Sequence, residues 1–269
     1  MTSRMFRKRF AALVPLGVAT VLALTGCGSS GGASSSGGSE QKTITIATSN
    51  DAPFSFTDQA TGELKGIDGD MINAIAEAKG WKVKVFTSEF ATLIAALNAK
   101  KADVIVDAMY ITDDRKKEIN FTDPWYTEGE AMVVPSDSSL ASRDDVKGKV
   151  LGAQTGTVFK DLVDSLGGSQ VKLFDSQAAL LAAVENKQVD AVFTDSAVIG
   201  YSLVQKPNPK LKLVTPYEPF YPGTIGAGVR KDDAQLLADL NSGLAELKKS
   251  PKYLEILKKY GLGEANAAK

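Results

Sequence analysis

Hydrophobic residues along the chain alternate between the period of a strand and the period of a helix. Residues 43–46 alternate polar and apolar, residues 68–79 place apolar side chains on one helical face, and residues 81–86 alternate again. Gly80, directly after the helical pattern, is a common C-terminal residue of helices. The order strand, helix, strand predicts the βαβ unit of a largely parallel sheet.

A second helix and a buried strand follow. Ser88 can cap the first turn of a helix that we expect to continue to Lys100. Residues 104–106 then form a continuous apolar run, which is typical of parallel strands that are buried on both faces.

This helix and strand recur 87 positions later in the chain. Residues 93–105 and residues 180–192 share a run of five apolar residues, then a Lys, and then an Asp before the strand. Two copies of one helix–strand unit predict two similar α/β lobes with a cleft between them, and convergent patterning of two unrelated pairs is the alternative.

Polar residues stand at the ends of both repeated strands. Asp107 follows the first strand, and Thr194 and Asp195 follow the second. Ligands of open parallel sheets bind beyond the carboxyl ends of the strands, so facing lobes would bring these residues together. Asp195 could pair with an ammonium group, or it could cap a helix that begins at Ser196.

Two further features could hold an anion. Thr112 can cap a short helix that carries Arg115 on its first turn, where the guanidinium presents a planar fork to a carboxylate. Such a charged cluster is more often a solvated helix face. Residues 154–157, Gln-Thr-Gly-Thr, could hold an anion through backbone N–H groups, or they could form an ordinary capped turn.

Six aromatic residues surround the expected rim of the first lobe. Their rings can cover the apolar and cationic parts of a small ligand, and we expect two or three of them to line a site while the others belong to the core. They are Phe54, Phe56, Phe90, Tyr110, Trp125 and Tyr126.

The composition excludes several classes of function. The 269 residues carry 31 Lys and Arg against 32 Asp and Glu, with one Cys and no His. Without an imidazole, the chain can form neither a Ser–His nor a Cys–His catalytic pair, nor the usual zinc sites that contain His. The sequence contains no phosphate-binding loop, complete dinucleotide fingerprint or metal-ligand spacing, so we expect no cofactor.

The N-terminal segment has the pattern of a secretion signal. Four basic residues between Arg4 and Arg9 precede an apolar run at 11–24, which predicts a signal peptide over residues 1–26. The run is too short to span a bilayer comfortably, since that takes about 20 residues. The tetrad that ends at Cys27, Leu-Thr-Gly-Cys, resembles the lipobox of bacterial lipoproteins.

A tether follows the Cys. Residues 28–39 are all Gly, Ser or Ala, which is typical of a flexible linker, and we assign residues 27–41 to the lipidated Cys and this tether. Removal of the signal takes away four basic residues and leaves an acidic globule, which suits neither nucleic acid nor an anionic lipid surface. We therefore expect an extracytoplasmic monomer that is lipid-anchored to the bacterial cell membrane.

Seven stretches resemble the extracellular solute-binding proteins of family 3, which bind polar amino acids for ATP-driven importers. The resemblance covers residues 43–262, and it depends on the order and spacing of the stretches together. They are Ala-Pro-Phe-Ser-Phe at 52–56, Gly-Ile-Asp-Gly-Asp at 66–70, residues 90–97, Ile-Thr-Asp-Asp-Arg-Lys-Lys at 111–117, Phe-Thr-Asp-Pro-Trp-Tyr at 121–126, residues 152–157, and Asp-Ala-Val-Phe-Thr-Asp at 190–195.

The resemblance implies a two-lobed α/β fold of the periplasmic-binding-protein type II, in which each lobe is a mixed, mostly parallel sheet flanked by helices. Residues 42–125 with 223–263 would form one lobe and residues 130–218 the other, joined by two crossover hinges, with 264–269 as a tail. Ligand would close the cleft, and the closed protein would serve the permease of an ABC importer without catalysing a reaction.

The resemblance also implies roles for particular residues. Arg115 would hold the α-carboxylate of the ligand with backbone groups near Thr157 and Tyr110, Asp195 would hold the α-ammonium group, and Phe90 would stack on the ligand. The complete set of expected ligand-binding residues is Arg115, Asp195, Phe90, Tyr110, Thr157, Gln154, Asp51, Phe54, Ala108, Thr194 and Asp107.

Three positions depart from the family pattern. Asp51 lies in a segment that lacks the common aromatic residue, Ala108 replaces the usual Gly, and Tyr110 replaces a small hydroxyl residue. These departures resemble the ectoine-binding branch of the family. Asp195, in contrast, resembles the aspartate of the amino-acid-binding members. Tyr110 should narrow the pocket or offer a ring face to the ligand.

The charged residues predicted to face the cleft indicate the charge of the ligand. If Asp51, Asp107 and Asp195 all face the cleft with only Arg115 opposing them, desolvation favours a ligand with at least one positive group. Asp51 and Asp107 could instead be turn residues. We expect a zwitterionic or cationic amino acid, or a related compatible solute.

Two other functions are compatible with the sequence. A few dehydratases that act on cyclic precursors of aromatic amino acids use the same fold, although a carboxylate or a Lys would have to replace the missing His as the acid. The closed protein could also present its ligand to a receptor or kinase.

Overall fold

A computed structural model describes residues 41–205 and 207–268 of the chain. The predicted signal peptide, the predicted lipidation site Cys27 and nearly all of the predicted tether lie outside these residues. Within the described ranges, no helix is long and apolar enough to cross a membrane.

The described residues alternate between short strands and helices. The strands are β1 (Thr43–Thr48), β2 (Phe56–Thr57), β3 (Leu64–Lys65), β4 (Lys82–Thr87), β5 (Val104–Ile105), β6 (Asn120–Phe121), β7 (Tyr126–Glu128), β8 (Glu130–Pro135), β9 (Val150–Gln154), β10 (Gln170–Phe174), β11 (Ala191–Asp195), β12 (Leu211–Leu213), β13 (Gly223–Ile225) and β14 (Gly228–Val229). The α-helices are α1 (Ile67–Lys79), α2 (Leu93–Asn98), α3 (Asp113–Glu118), α4 (Phe159–Ser165), α5 (Gln177–Glu185), α6 (Ser196–Gln205), α7 (Ala234–Lys249) and α8 (Pro251–Lys259).

Two five-stranded sheets define two lobes. The sheet of the first lobe has the order β4-β1-β5-β14-β6, in which β4, β1 and β5 are parallel and β14 is antiparallel to both of its neighbours. The sheet of the second lobe has the order β10-β9-β11-β8-β12, in which β10, β9 and β11 are parallel and β8 is antiparallel to both neighbours. Each lobe therefore has the mixed sheet with a parallel core that the sequence predicts.

A two-stranded ribbon joins the lobes. The chain leaves the first lobe through β7 and returns through β13, and these two strands pair antiparallel. The C-terminal residues pack on the same ribbon, because Ala267 forms a β-bridge with Tyr126 and the Asn266 amide donates to the Thr127 carbonyl at 3.0 Å. The residues predicted as a tail thus brace one of the two crossovers.

Apolar side chains cover both faces of each sheet. In the first lobe, Ile46 packs in the cluster that contains α1, whereas its neighbour Ala47 packs with α2 on the other face. In the second lobe, Val192 packs with α5 and its neighbour Phe193 packs in the cluster that contains α4. Each fully buried aliphatic or aromatic side chain contributes about 1.5–3 kcal/mol. Helices thus occupy both faces, and the strand ends are left for a site.

The predicted repeat is confirmed down to its hydrogen bonds. Lys100 after α2 and Lys187 after α5 both adopt the left-handed conformation, with φ of 59° and 54°. Asp103 then accepts a hydrogen bond from the backbone N–H of Thr45 at 2.8 Å, and Asp190 accepts one from Val150 at 2.7 Å. In both lobes this carboxylate fixes the repeated strand beside the first parallel strand.

One predicted helix is wrong in its extent. The segment expected as a helix from Ser88 to Lys100 is a 3₁₀ turn at Phe90–Thr92 followed by α2, which ends at Asn98. Ser88 does not cap it, because its hydroxyl lies 2.6 Å from the Thr92 hydroxyl instead. The predicted end of α1 at Gly80 is confirmed, with φ of 66°.

Candidate functional site

A cavity with about 350 Å³ of empty space, its mouth included, lies between the carboxyl ends of the parallel strands of the two lobes. The enclosed part of this space is only about 20 Å³, room for about one water molecule, so the two lobes are nearly closed on each other here. The structure brings ten of the residues predicted from the sequence to its lining: Asp51, Phe54, Phe90, Asp107, Ala108, Tyr110, Arg115, Gln154, Thr157 and Asp195. Ser49, Val158, Phe159 and Gln177 complete the lining.

Thr194 does not line the cavity, contrary to the expectation from the sequence. It is fully buried, and its hydroxyl donates to the side-chain carbonyl of Gln177 at 2.6 Å. Successive residues of a strand point to opposite faces, so Thr194 and Asp195 cannot both face one cavity. Thr194 instead holds Gln177 in place.

Gln177 is a lining residue that the sequence reasoning missed. It is the first residue of α5, directly after the capping residue Ser176. A signal for it exists, because the repeat of 87 residues places Gln177 at the position of Phe90, which the sequence did select. Its amide nitrogen donates to the side-chain carbonyl of Gln154 at 2.7 Å.

Arg115 lies on the first turn of α3, as predicted, where the Thr112 side chain accepts a hydrogen bond from its backbone N–H. The guanidinium donates to the Tyr110 carbonyl and to the Gly156 carbonyl, both at 2.9 Å, and lies 5.5 Å from the centre of the Phe90 ring. Burial lowers the pKa of Arg115 to about 10, so it stays charged at neutral pH. It forms no ion pair with a carboxylate among the described residues.

Asp195 ends β11 and reaches the cavity from the second lobe. It is 5% exposed, and the Tyr110 hydroxyl adjoins its carboxylate. Within the described structure, Asp195 Oδ1 has no partner of full hydrogen-bond geometry. Burial, and then the charge of Glu128, raise the pKa of Asp195 well above its usual value. A buried carboxylate without a partner is costly, so this geometry suits a site that a cation completes.

Glu128 rather than Asp195 caps α6. The backbone N–H of Ala197 in the first turn donates to Glu128 Oε1 at 3.1 Å, and the Ser196 hydroxyl donates to the same oxygen. The capping role considered for Asp195 is therefore wrong. Asp195 is left available to the cavity.

The lobes touch at the rim of the cavity. The Gln154 amide donates to Asp51 Oδ2 across the cleft at 3.1 Å. Gly156 approaches Ala91 so closely that a Cβ atom added to Gly156 would lie 2.8 Å from the Ala91 Cα. With the bond from Arg115, these contacts close one side of the cavity.

Three of the six aromatic candidates line the cavity, as expected: Phe54, Phe90 and Tyr110. Trp125 and Tyr126 belong to the core, and Phe56 lies at the outer face, 6.3 Å from the ring of Tyr201.

Tyr110 packs edge-on against Phe159, with ring centres 5.7 Å apart. Its hydroxyl is buried and adjoins the Asp195 carboxylate, without a partner of full hydrogen-bond geometry in the described residues. Room for the ring comes from Gly223, where an added Cβ atom would lie 2.0 Å from the ring.

Two of the expected site residues make structural contacts as well. Ala108 has φ of 48°, a conformation that favours Gly, and its backbone N–H donates to the buried Asp68. The Thr157 hydroxyl donates to the Gln154 carbonyl at 2.8 Å, which ties the first turn after β9.

Among the described residues, no group of three or more Cys, Asp or Glu side chains is placed to hold a metal ion.

Comparisons with known proteins agree with this geometry. The family model of bacterial extracellular solute-binding proteins, family 3, matches residues 44–263. A probable histidine-binding protein of Neisseria gonorrhoeae is 31% identical over 255 residues, which cover 93% of this chain and 94% of the relative. A structure of an ancestral arginine-binding protein bound to glutamine has a TM-score of 0.76 and 36% identity, covering 82% of this chain and 99% of that one.

A second similar structure is the ancestral amino-acid-binding protein AncCDT-1, a precursor of cyclohexadienyl dehydratase. It has a TM-score of 0.73 and 29% identity, covering 81% of this chain and 95% of that one. These neighbours confirm the two-lobed α/β fold. The motifs, the cleft between two lobes and the family match together assign the chain to the bacterial extracellular solute-binding proteins, family 3.

Proposed function

We propose that the protein captures a cationic or zwitterionic amino acid in the cavity and delivers it to the permease of an ABC importer. The observation that carries this proposal is the opposition of Arg115 and Asp195, which face one cavity from different lobes and form no ion pair with each other. An α-amino acid carries the complementary carboxylate and ammonium groups on a single carbon atom.

The two charges set the orientation of the ligand. Its carboxylate accepts from the Arg115 guanidinium, and its ammonium group donates to Asp195, close to the unpartnered Tyr110 hydroxyl. Charge-assisted hydrogen bonds of this kind are about twice as strong as neutral ones. Phe54 and Phe90 then flank the apolar part of the ligand.

The side chain of the ligand extends toward Asp51. This half-buried carboxylate is on the cavity wall and accepts from Ser49 and Gln154 through Oδ2. A basic side chain would place its positive charge there. Several relatives are named for histidine or arginine, which supports an amino acid with a basic side chain, whereas others are named for glutamine or L-cystine.

The protein acts outside the cytoplasm in this proposal. The signal pattern over residues 1–26 and the lipobox that ends at Cys27 support a monomer tethered to the cell membrane by lipid. Closure of the lobes around the ligand creates the form that the permease recognises. The ligand is released unchanged, and no catalytic step is part of the proposal.

A calorimetric and thermal-shift panel tests this function. We expect L-arginine, L-lysine or L-histidine to bind, L-glutamine and ectoine to bind more weakly, and L-glutamate not to bind. A hundredfold excess of ligand over its dissociation constant should stabilise the fold by about 2.7 kcal/mol. Binding only to sugars or to dicarboxylic amino acids would overturn the proposal.

A further inference from the structure

Six side chains form a continuous hydrogen-bonded row along the cavity wall, which we call the polar row. On the second-lobe side, Thr194 donates to Gln177 at 2.6 Å, Gln177 donates to Gln154 at 2.7 Å, and Gln154 donates to Asp51 at 3.1 Å. On the first-lobe side, the Ser49 hydroxyl lies 3.0 Å from Asp51 Oδ2 and 2.5 Å from Asp107 Oδ2. The polar row thus crosses the cleft and ends in both lobes.

On the second-lobe side of the polar row, each hydrogen bond has a donor that carries a proton. Thr194 has a hydroxyl proton, and each amide supplies N–H donors and a carbonyl acceptor. The second N–H of Gln154 is accounted for as well, since its amide nitrogen also lies 3.4 Å from the Asp175 carbonyl. Donors and acceptors therefore match from Thr194 to Asp51.

The first-lobe side is short of protons if both carboxyl groups are ionised. Besides its two carboxyl neighbours, Ser49 adjoins Thr48, whose hydroxyl lies 2.8 Å from the Ser55 carbonyl and 3.0 Å from Asp107 Oδ1. Two hydroxyl groups, each with one proton, thus face four acceptor contacts. A proton on one of the two carboxyl groups lets the Ser49 hydroxyl accept in one contact and donate in the other, while Thr48 shares its single proton between its two contacts.

Asp107 is the carboxyl group that the surroundings favour for this proton. It is 3% exposed, whereas Asp51 is half-buried and faces the cavity. Burial raises the pKa of Asp51 as well, and the hydrogen bonds from Gln154 and Ser49 act against that rise. Burial, and then the charge of Asp51, raise the pKa of Asp107 to about 8. Asp51 is the charged group that faces Asp107, and a nearby negative charge favours the neutral acid.

We propose that Asp107 is a neutral carboxylic acid that acts as a donor in the polar row, and that through Ser49 it positions Asp51 as the single carboxylate facing the side chain of the ligand. This part about the ligand rests on the proposed function. The sequence suggested three carboxylates against Arg115. With an amino acid bound the cavity instead carries two, Asp51 and Asp195, since the ammonium group of the ligand favours the ionised form of Asp195. The net charge of the cavity matches an amino acid with one basic side chain.

The protonation of Asp107 is testable without any ligand. At about pH 6, an infrared difference spectrum between wild type and Asp107→Asn should show the carbonyl stretch of an un-ionised carboxylic acid. This band should fade as the pH rises through about 8. Should the variant not fold, the Cγ resonance of Asp107 in labelled wild-type protein gives the same answer. An ionised signal at about pH 6 would overturn the proposal.

The positioning role is tested by the ratio of affinities for L-arginine and its neutral analogue L-citrulline. Asp107→Asn keeps a donor and should retain the wild-type ratio, Asp107→Ala should lower it, and Asp51→Asn should lower it at least about tenfold, or about 1.4 kcal/mol. A loss in Asp107→Asn as large as in Asp51→Asn would show that Asp107 is a second anion. If wild type binds neither compound, the proposed function fails while the spectroscopic result stands.

Discussion

The residues that end the two repeated strands occupy equivalent positions in the two lobes but make different contacts. The repeat of 87 residues matches Asp107 with Thr194 and Ala108 with Asp195. Asp107 and Thr194 are both inner positions that bind a polar neighbour, Ser49 in one lobe and Gln177 in the other. At the next position, which lines the cavity in both lobes, the first lobe has Ala108 and only the second lobe has a charged residue, Asp195.

Hydrogen-bond partners, and not residue type, separate the two aspartates. Both side chains are almost fully buried, but each oxygen of Asp107 has a partner, whereas Oδ1 of Asp195 has none in the described residues. The protein itself supplies the hydrogen-bond partners of Asp107, whereas a ligand can supply the missing partner of Asp195.

The largest expected effect comes from removing the charge at the second strand end. Asp195→Asn should weaken the binding of an amino acid by about 2–5 kcal/mol, because the ammonium group loses its ionic partner in a desolvated site. The same change should raise the Tm of the ligand-free protein, since it removes an unpaired buried carboxylate. Calorimetry and thermal unfolding measure the two effects.

Asp107→Asn is the matched control for that variant. It changes the same functional group at a satisfied position, where an amide can take over both the donor and the acceptor role. Equal losses of affinity in the two variants would break the distinction between the strand ends.

Arg115→Lys tests the other charge of the site. The change keeps the positive charge but removes the planar fork that bonds to Tyr110 and Gly156, so we expect a loss in amino-acid affinity of about 2–3 kcal/mol. Titration calorimetry would detect it. Wild-type affinity in this variant would mean that the ligand carboxylate binds elsewhere.

Stability should depend on pH in a direction set by Asp107. Its pKa is raised to about 8 in the folded protein, above the value of about 3.9 in an unfolded chain. Between these values the folded protein holds a proton that the unfolded chain has lost, so the free energy of unfolding falls as the pH rises. This contribution is complete below about pH 4 and is lost above about pH 8.

Urea unfolding from pH 5 to pH 8 measures this slope, which is up to about 1.4 kcal/mol per pH unit for one group. Asp68, whose pKa burial raises to about 7, adds to it. The slope should be shallower in Asp107→Asn than in wild type. If the free energy of unfolding depends on pH equally in the two proteins, Asp107 is ionised in the folded protein over this range.

The smallest effect is expected at the inner position of the second lobe. Thr194→Val removes the hydroxyl that donates to Gln177 and should lower the free energy of unfolding by about 1–2 kcal/mol, because a buried carbonyl loses its donor. Thr194→Ser restores the hydroxyl and serves as the control. If Val and Ser behave alike in urea unfolding, Thr194 does not support the polar row in the way that Asp107 does.

Much of the fold could be predicted from periodicity and from the repeat. The positions of α1, α5 and the parallel strands follow from hydrophobic spacing, and the repeat predicted two lobes. The expected helix from residue 88 to residue 100 failed, because local side-chain bonds such as that between Ser88 and Thr92 favour a 3₁₀ turn there. Hydrophobic spacing carries no information about such bonds.

The positions of Arg115 and Asp195 on the cavity wall were predictable, because each lies beside the end of a predicted strand or the start of a predicted helix. The site was not predictable where the outcome depends on the direction of a side chain or on contacts between lobes. Thr194 was assigned to the cavity although strand alternation turns it away. Gln177 was missed, although the repeat relates it to Phe90, and the bond from Gln154 to Asp51 requires the closed arrangement of both lobes.

Titration with three related compounds tests most directly whether an amino acid is held between Arg115 and Asp195. L-arginine carries both main-chain charges, agmatine lacks the carboxylate, and Nα-acetyl-L-arginine lacks the ammonium group. We expect L-arginine to bind and each derivative to lose at least about a hundredfold in affinity, or about 2.7 kcal/mol. Agmatine or the acetylated compound binding as tightly as L-arginine would contradict the assignment.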